Sequence, residues 1–126
     1  MTTHSVDVTD DAAIHSAIAS AAKIHGSIDV LICSAGTSLP QEFKDTTSSS
    51  FLHLLNLNIV GCRNAVHASL PFMKASVGRI VLISSQAGQV GLYGFTAYSV
   101  RICLSVYIYI YTYVYSRVLT VLCISG

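Results

Sequence analysis

A chain of 126 residues with a formal net charge of +1 has room for one small core and not for two. It carries no run of Lys or Arg, so the electrostatic footprint of a nucleic-acid binder is missing and that class is set aside. At 52% hydrophobic and 10% charged residues the composition is apolar-rich, with most of the excess after residue 101.

The opening "MTTHSVDVTDD" lacks the basic start and apolar stretch of a secretory leader, so export to the secretory lumen is not expected. "HSVDV" reads as a short strand. "TDDAAIHSAIASAAKIHG" follows as a helix, with Thr9 as N-cap, acids in the first turn and Gly26 as the stop. Ile14, Ile18, Ala21 and Ile24 share one face, and His15 and His25 are expected to face water rather than a metal.

"IDVLICSAG" is a continuous apolar run closed by small residues, the pattern of a parallel strand buried on both faces. After the polar "DTTSSS", a second helix places Phe51, Leu54, Leu55, Ile59, Cys62, Val66 and Leu70 at helical spacing and ends near Pro71. "GRIVLISS" is the next buried strand. Alternating strands and helices predict an α/β fold, a Rossmann-like parallel sheet with flanking helices, whose ligands bind outside the carboxyl ends of the strands. Ser34, Gly36, Ser84 and Ser85 all fall at such ends. Cys33, Cys62, Cys103 and Cys123 have neither zinc-site spacing nor disulfide-scaffold density, and are expected as buried thiols in a reducing compartment.

Ser85 and Tyr98 are 13 positions apart, across a loop holding Gly88, Gly91 and Gly94 that can bring two hydroxyls onto one substrate oxygen. The pair suits carbonyl chemistry: the phenol gives a proton to the oxygen as hydride reaches carbon, and the serine steadies the developing charge. The spacing alone fits an incidental tyrosine after a glycine-rich turn equally well.

"VGRIVLISSQAGQVGLYGFTAYS" resembles the active-site region of short-chain dehydrogenases/reductases, and within them the group that reduces 3-ketodihydrosphingosine (3-dehydrosphinganine). The likeness runs from about Val6 to Ser99. It implies that Ser85 binds the carbonyl, Tyr98 donates the proton and also contacts the cofactor, and Asn58 of "NIVG" holds a relay water. It further implies that Asp7 and Val8 bracket the adenine ring and that Cys33, Ser34, Ala35 and Gly36 form the turn lining the cofactor. The family writes Asn-Asn-Ala-Gly where this chain has "CSAG", so the turn is matched and its asparagines are not. The implied activity is NADPH-dependent reduction of the 3-keto group of a long-chain sphingoid base, with a peripheral membrane contact at the cytosolic face of the endoplasmic reticulum and, in the family, homo-oligomers. The alternatives are another short-chain ketone or 3-oxoacyl reductase, and a non-catalytic pseudo-reductase fragment that docks through the apolar helix of residues 51–70.

Two departures from the pattern point to impaired activity. Ile102 stands where the family has the lysine that lowers the tyrosine pKa from about 10, and Arg101 lies about 100° away around a helix. No G-x-x-x-G-x-G turn precedes the first helix to cradle a pyrophosphate, so the chain corresponds to the family pattern from its third strand onward and the opening strand lacks neighbours. Neither cofactor-induced stabilisation nor turnover is expected of the chain as written. The expected organisation is a partial reductase domain over 1–99 and an unrelated apolar tail over 100–126. In that tail Tyr recurs at 107, 109, 111, 113 and 115, an alternation that reads as an aggregation-prone strand. The uncharged run 102–116 falls short of the about 20 residues a membrane helix needs. A T-A repeat in DNA encodes Tyr-Ile-Tyr-Ile, and Val100 requires a GT codon, so a translated intron explains the tail.

Overall fold

A computed structural model describes residues 1–73 and 78–100 and the backbone of Leu119–Ile124. Helix α1 spans Asp11–His25, strand β1 Val30–Cys33, helix α2 Ser48–Leu55, helix α3 Gly61–Ser69, strand β2 Arg79–Ser85 and strand β3 Leu119–Ile124. The three strands form one parallel sheet in the order β1-β2-β3. Val30 to Cys33 pair with Arg79 to Leu82, which brings the carboxyl ends of β1 and β2 to the same edge of the sheet.

Local chemistry accounts for the boundaries of α1. Asp10 is its N-cap, with Oδ1 accepting from the Ala13 N–H at 3.0 Å, and Gly26 ends it at φ 86°, a left-handed conformation that favours glycine. The cap is therefore Asp10 and not Thr9. Thr9 instead donates both its N–H and its hydroxyl to Asp7 Oδ1, each at 2.8 Å. Ile14 is buried as expected, whereas Ile24 is 59% exposed and Ala22 takes the second buried position.

The expected opening strand does not form. Among the described residues "HSVDV" has no strand beside it, and a turn closes through the Asp10 N–H to the Asp7 carbonyl at 3.1 Å. A strand without a hydrogen-bonding neighbour leaves its backbone groups to water, which removes the reason to be extended. β1 is likewise not buried on both faces: Val30 and Ile32 are 49% and 60% exposed, while Leu31 and Cys33 turn inward.

The long helix is interrupted. α2 passes into a π-helical segment, Asn56–Val60, before α3 begins, and a 3-10 turn, Leu70–Phe72, carrying Pro71 closes it. An extra residue per turn rotates the following face, so the stripe read from regular spacing drifts: Leu54 and Val66 are buried, but Leu70 is 46% exposed. Val66 packs against Ile80 and Leu82 of β2, with Leu31, Cys33, Cys62 and Met73 around them. The remaining strand, β3, lies in the stretch expected to be an unrelated tail and continues the sheet beside β2. Residues 101–118, which hold Cys103 and the alternating tyrosines, lie outside the described residues.

Gly61 is a point of close packing. A Cβ there would meet the Val8 Cγ2 at 2.6 Å, and the buried Asn64 carboxamide donates to the Val8 carbonyl at 3.2 Å. The first turns of α3 thus hold the segment bearing Asp7 and Val8. Gly61→Ala is expected to lower stability by about 1–3 kcal/mol through overpacking, read as a reduced urea midpoint. An unchanged midpoint would mean that Val8 is not pressed against α3.

Candidate active site

The parallel register brings the turn after β1 beside the end of β2, and a crevice of about 240 Å³ opens between them. Ser34, Ala35, Gly36, Thr37, Ser38, Ile83, Ser84 and Tyr98 line it. Ligand pockets usually run to about 300–1,000 Å³, so this one suits the reacting end of a ligand rather than a whole cofactor. Its polar lining is mostly hydroxyls and backbone, a surface for neutral hydrogen-bonding groups.

The turn is fixed from beneath by Asn58. This residue is 4% exposed and sits in the π-helical segment. Its Nδ2 donates to the Thr37 carbonyl at 3.1 Å and to the Leu54 carbonyl at 2.8 Å, while its Oδ1 accepts from the Thr37 N–H at 2.8 Å. Both donors of the carboxamide are therefore in use, and one acceptor lone pair of Oδ1 is left for water. Asn58 reaches the crevice through Thr37 and is not itself in the lining.

The two serines are in different situations. Ser84 lines the crevice, is 7% exposed, and its Oγ has no hydrogen-bond partner among the described residues. Ser85 is half-buried, and its Oγ accepts from the Ala87 N–H at 3.3 Å, capping the short turn Gln86–Gly88. A buried hydroxyl without a partner loses about 1–3 kcal/mol against a satisfied one, so Ser84 is ready for a ligand or water. The family resemblance points to Ser85, which is not in the lining, whereas burial together with the empty hydrogen-bond position marks Ser84, one of the strand-end residues expected at the crevice.

Tyr98 lies in the helical turn over 96–100, half-buried, with its ring edge-to-face against Phe95 at 5.9 Å. The loop before it is tied to the β1 side of the crevice by the Gln41 N–H to the Gly94 carbonyl at 2.7 Å and by the Tyr93 hydroxyl to Glu42 at 2.5 Å. Gly94 takes φ 73° to make this contact. The Tyr93 hydroxyl, then Lys44, hold the Glu42 carboxyl below its ordinary pKa, and Glu42 in turn raises the Tyr93 phenol.

The remaining residues expected to meet a cofactor fall into two groups. Ser34, Ala35 and Gly36 form the crevice wall; Cys33 precedes them, half-buried, and is not in the lining. Hydrogen bonding with Cys62, then burial, raises the Cys33 thiol pKa; Cys33 and Cys62 are both free and half-buried, where the sequence reading expects buried thiols. Asp7 and Val8 lie outside the lining, on the segment held by Gly61 and Asn64. Hydrogen bonds from the Thr9 N–H and hydroxyl keep the exposed Asp7 carboxyl below its ordinary pKa. A ribose or adenine amine would find an ionised acceptor there. Among the described residues no three His, Cys, Asp or Glu side chains converge on a metal position.

Removing the carboxamide leaves the Thr37 N–H and carbonyl without their partner. Asn58→Ala is therefore expected to lose about 1–3 kcal/mol of stability, with the amide exchange of residues 34–38 accelerating first. Loss of stability without faster exchange in that turn would show that Asn58 acts on packing alone.

Comparison with known proteins places this geometry. The short chain dehydrogenase family matches residues 1–100. The mouse 3-ketodihydrosphingosine reductase is 44% identical over 97 residues, 75% of this chain and 29% of that protein. The 3-dehydrosphinganine reductase TSC10B of Arabidopsis thaliana is 41% identical over 101 residues, 77% of this chain and 29% of that protein. The chain thus spans less than a third of the length of these relatives. Among solved structures, a short-chain dehydrogenase from Streptomyces avermitilis is 33% identical with a TM-score of 0.77, over 83% of this chain and 40% of that one. An ElxO structure with NADPH bound is 31% identical with a TM-score of 0.77, over 83% of this chain and 43% of that one. The turn Ser34–Ser38, Ser84 and Tyr98 line one crevice, with Asn58 beneath the turn and Ser85 outside the lining; by its match over residues 1–100 this chain belongs to the short-chain dehydrogenase family.

Proposed function

We propose that this chain is the catalytic-face portion of an NADPH-dependent reductase that acts on the 3-keto group of 3-ketodihydrosphingosine, and that the chain as it stands is impaired. The observation that carries the reading is the crevice in which Tyr98 shares a wall with Ser84 and with the turn Ser34–Ser38. The substrate class rests on the mouse and Arabidopsis relatives, and the choice of NADPH on the cofactor bound in the ElxO structure. The endoplasmic reticulum, at its cytosolic face, is proposed as the place of action because a long-chain base resides in membrane. Residues 100–126 are proposed as a stretch foreign to the reductase sequence pattern, of which Leu119–Ile124 nonetheless pairs with β2; transcripts spliced from the Ser99 codon into another exon would agree, and a continuous exon would not.

The chemistry follows from the lining. A keto oxygen held in the crevice accepts a hydrogen bond from a serine hydroxyl, while the Tyr98 phenol supplies the proton that completes the alcohol. The nicotinamide cofactor supplies hydride when bound. The turn Ser34–Gly36, with backbone exposed and side chains small, leaves space for a flat ring against the strand ends, and the Asp7 carboxylate offers an acceptor for the far end of the dinucleotide. Ile102 stands where the family has a lysine and brings no charge to assist proton transfer from the phenol.

The test is reduction of 3-ketodihydrosphingosine by the full chain with NADPH, compared with Ile102→Lys and with Ile102→Lys/Tyr98→Phe. The unaltered chain is expected at or near background. Ile102→Lys should rise above it and the double variant should return to it; adding Ser84→Ala or Ser85→Ala identifies which hydroxyl holds the oxygen, by a loss of about 100-fold. Reduction that survives Tyr98→Phe, or an Ile102→Lys chain that binds NADPH and remains at background, would overturn the proposal.

A further inference from the structure

His15 and His67 meet across the interface between α1 and α3. His15 is half-buried on α1 and His67 exposed on α3, with His15 Nε2 3.4 Å from His67 Nδ1 and the ring centroids 5.5 Å apart at 67°. One turn earlier on each helix, Arg63 Nη1 lies 3.5 Å from Asp11 Oδ1, which holds the two helices in the same register. Spacing alone puts His15 toward water and says nothing of His67; the pairing becomes visible only when residues 52 positions apart are brought together.

We propose that His15 and His67 form a two-imidazole clamp for a borderline transition-metal dication such as Zn²⁺, Ni²⁺ or Cu²⁺, with water filling the remaining positions. The geometry carries this. Metal–imidazole bonds of about 2.0–2.1 Å at a tetrahedral angle put the two nitrogens about 3.3–3.4 Å apart, and the observed separation is 3.4 Å. Imidazole suits these ions and leaves Mg²⁺ and Ca²⁺ to oxygen ligands. Binding takes the tautomers in which each facing nitrogen offers a lone pair and the ring proton sits on the other nitrogen. The ion would cross-brace α1 to the helix that, through Gly61 and Asn64, holds Val8.

The experiment titrates the full chain with ZnCl₂ and NiCl₂, with MgCl₂ as control, and follows the thermal midpoint. A ligand bound only by the folded form raises the midpoint with the logarithm of its concentration once the site fills. Wild type should show this rise with Zn²⁺ and Ni²⁺ and not with Mg²⁺. It should persist in His25→Ala and in Cys33→Ser/Cys62→Ser, which removes the neighbouring thiols as ligands, and vanish in His15→Ala and in His67→Ala. Independently of whether those variants fold, the electron paramagnetic resonance spectrum of the Cu²⁺-loaded wild type should show two imidazole nitrogens. No rise in wild type, an undiminished rise in either His variant, or a Cu²⁺ spectrum with fewer than two nitrogens would overturn the proposal.

Discussion

One buried carboxamide organises the active-site end of this chain. Asn58 spends both donors and one acceptor on backbone groups, two of them belonging to Thr37. The turn after β1 is polar, exposed and rich in small residues, and by itself would have little reason to keep one conformation. Pinning Thr37 by both its N–H and its carbonyl converts that turn into a wall. Asn58 sits within the π-helical segment, four residues after the buried Leu54, and faces inward with it.

A second set of contacts works on the same helix from its other flank. Gly61 admits the Val8 side chain, Asn64 holds the Val8 carbonyl, and the Asp7 carboxylate is steadied by Thr9. Three residues of one helical stretch, Asn58, Gly61 and Asn64, therefore fix two loops that are distant in sequence. The family resemblance gives these loops to opposite ends of a dinucleotide. The polar crevice takes the reacting end, where a phenol and a serine hydroxyl are the available donors.

Periodicity and capping residues made much of the scaffold legible. The helix ending at Gly26, the strand inside "IDVLIC" and the strand inside "GRIVLISS" all lie where the residues put them, because each depends on local signals: a left-handed glycine, an apolar run, small residues at a strand end. What escaped depends on partners. "HSVDV" has the pattern of a strand and none of the pairing, so it remains irregular. Leu119–Ile124 sits in a stretch whose composition argued against a place in the sheet, and joins it beside β2. The π-helical interruption has no sequence cue that separates it from a continuous helix, and its consequence, the exposure of Leu70, was missed for that reason. In the site, resemblance pointed to the Ser85 and Tyr98 pair and to Asn58. Strand-end position already put Ser84 at the crevice; only packing could reveal that its hydroxyl is unmatched, or that Asn58 acts through the backbone of Thr37.

The clamp can be seen directly through the Thr37 amide. Thr37 lies in an exposed turn, outside any strand or helix, where an amide ordinarily exchanges at the rate of a free chain. Hydrogen exchange resolved at single residues should find the Thr37 N–H protected to an extent comparable with the amides of β2, and distinctly slower than those of Ser34 and Ser38. Exchange of Thr37 at the rate of its neighbours in the turn would contradict the account, because the carboxamide of Asn58 would then not be holding the wall of the crevice.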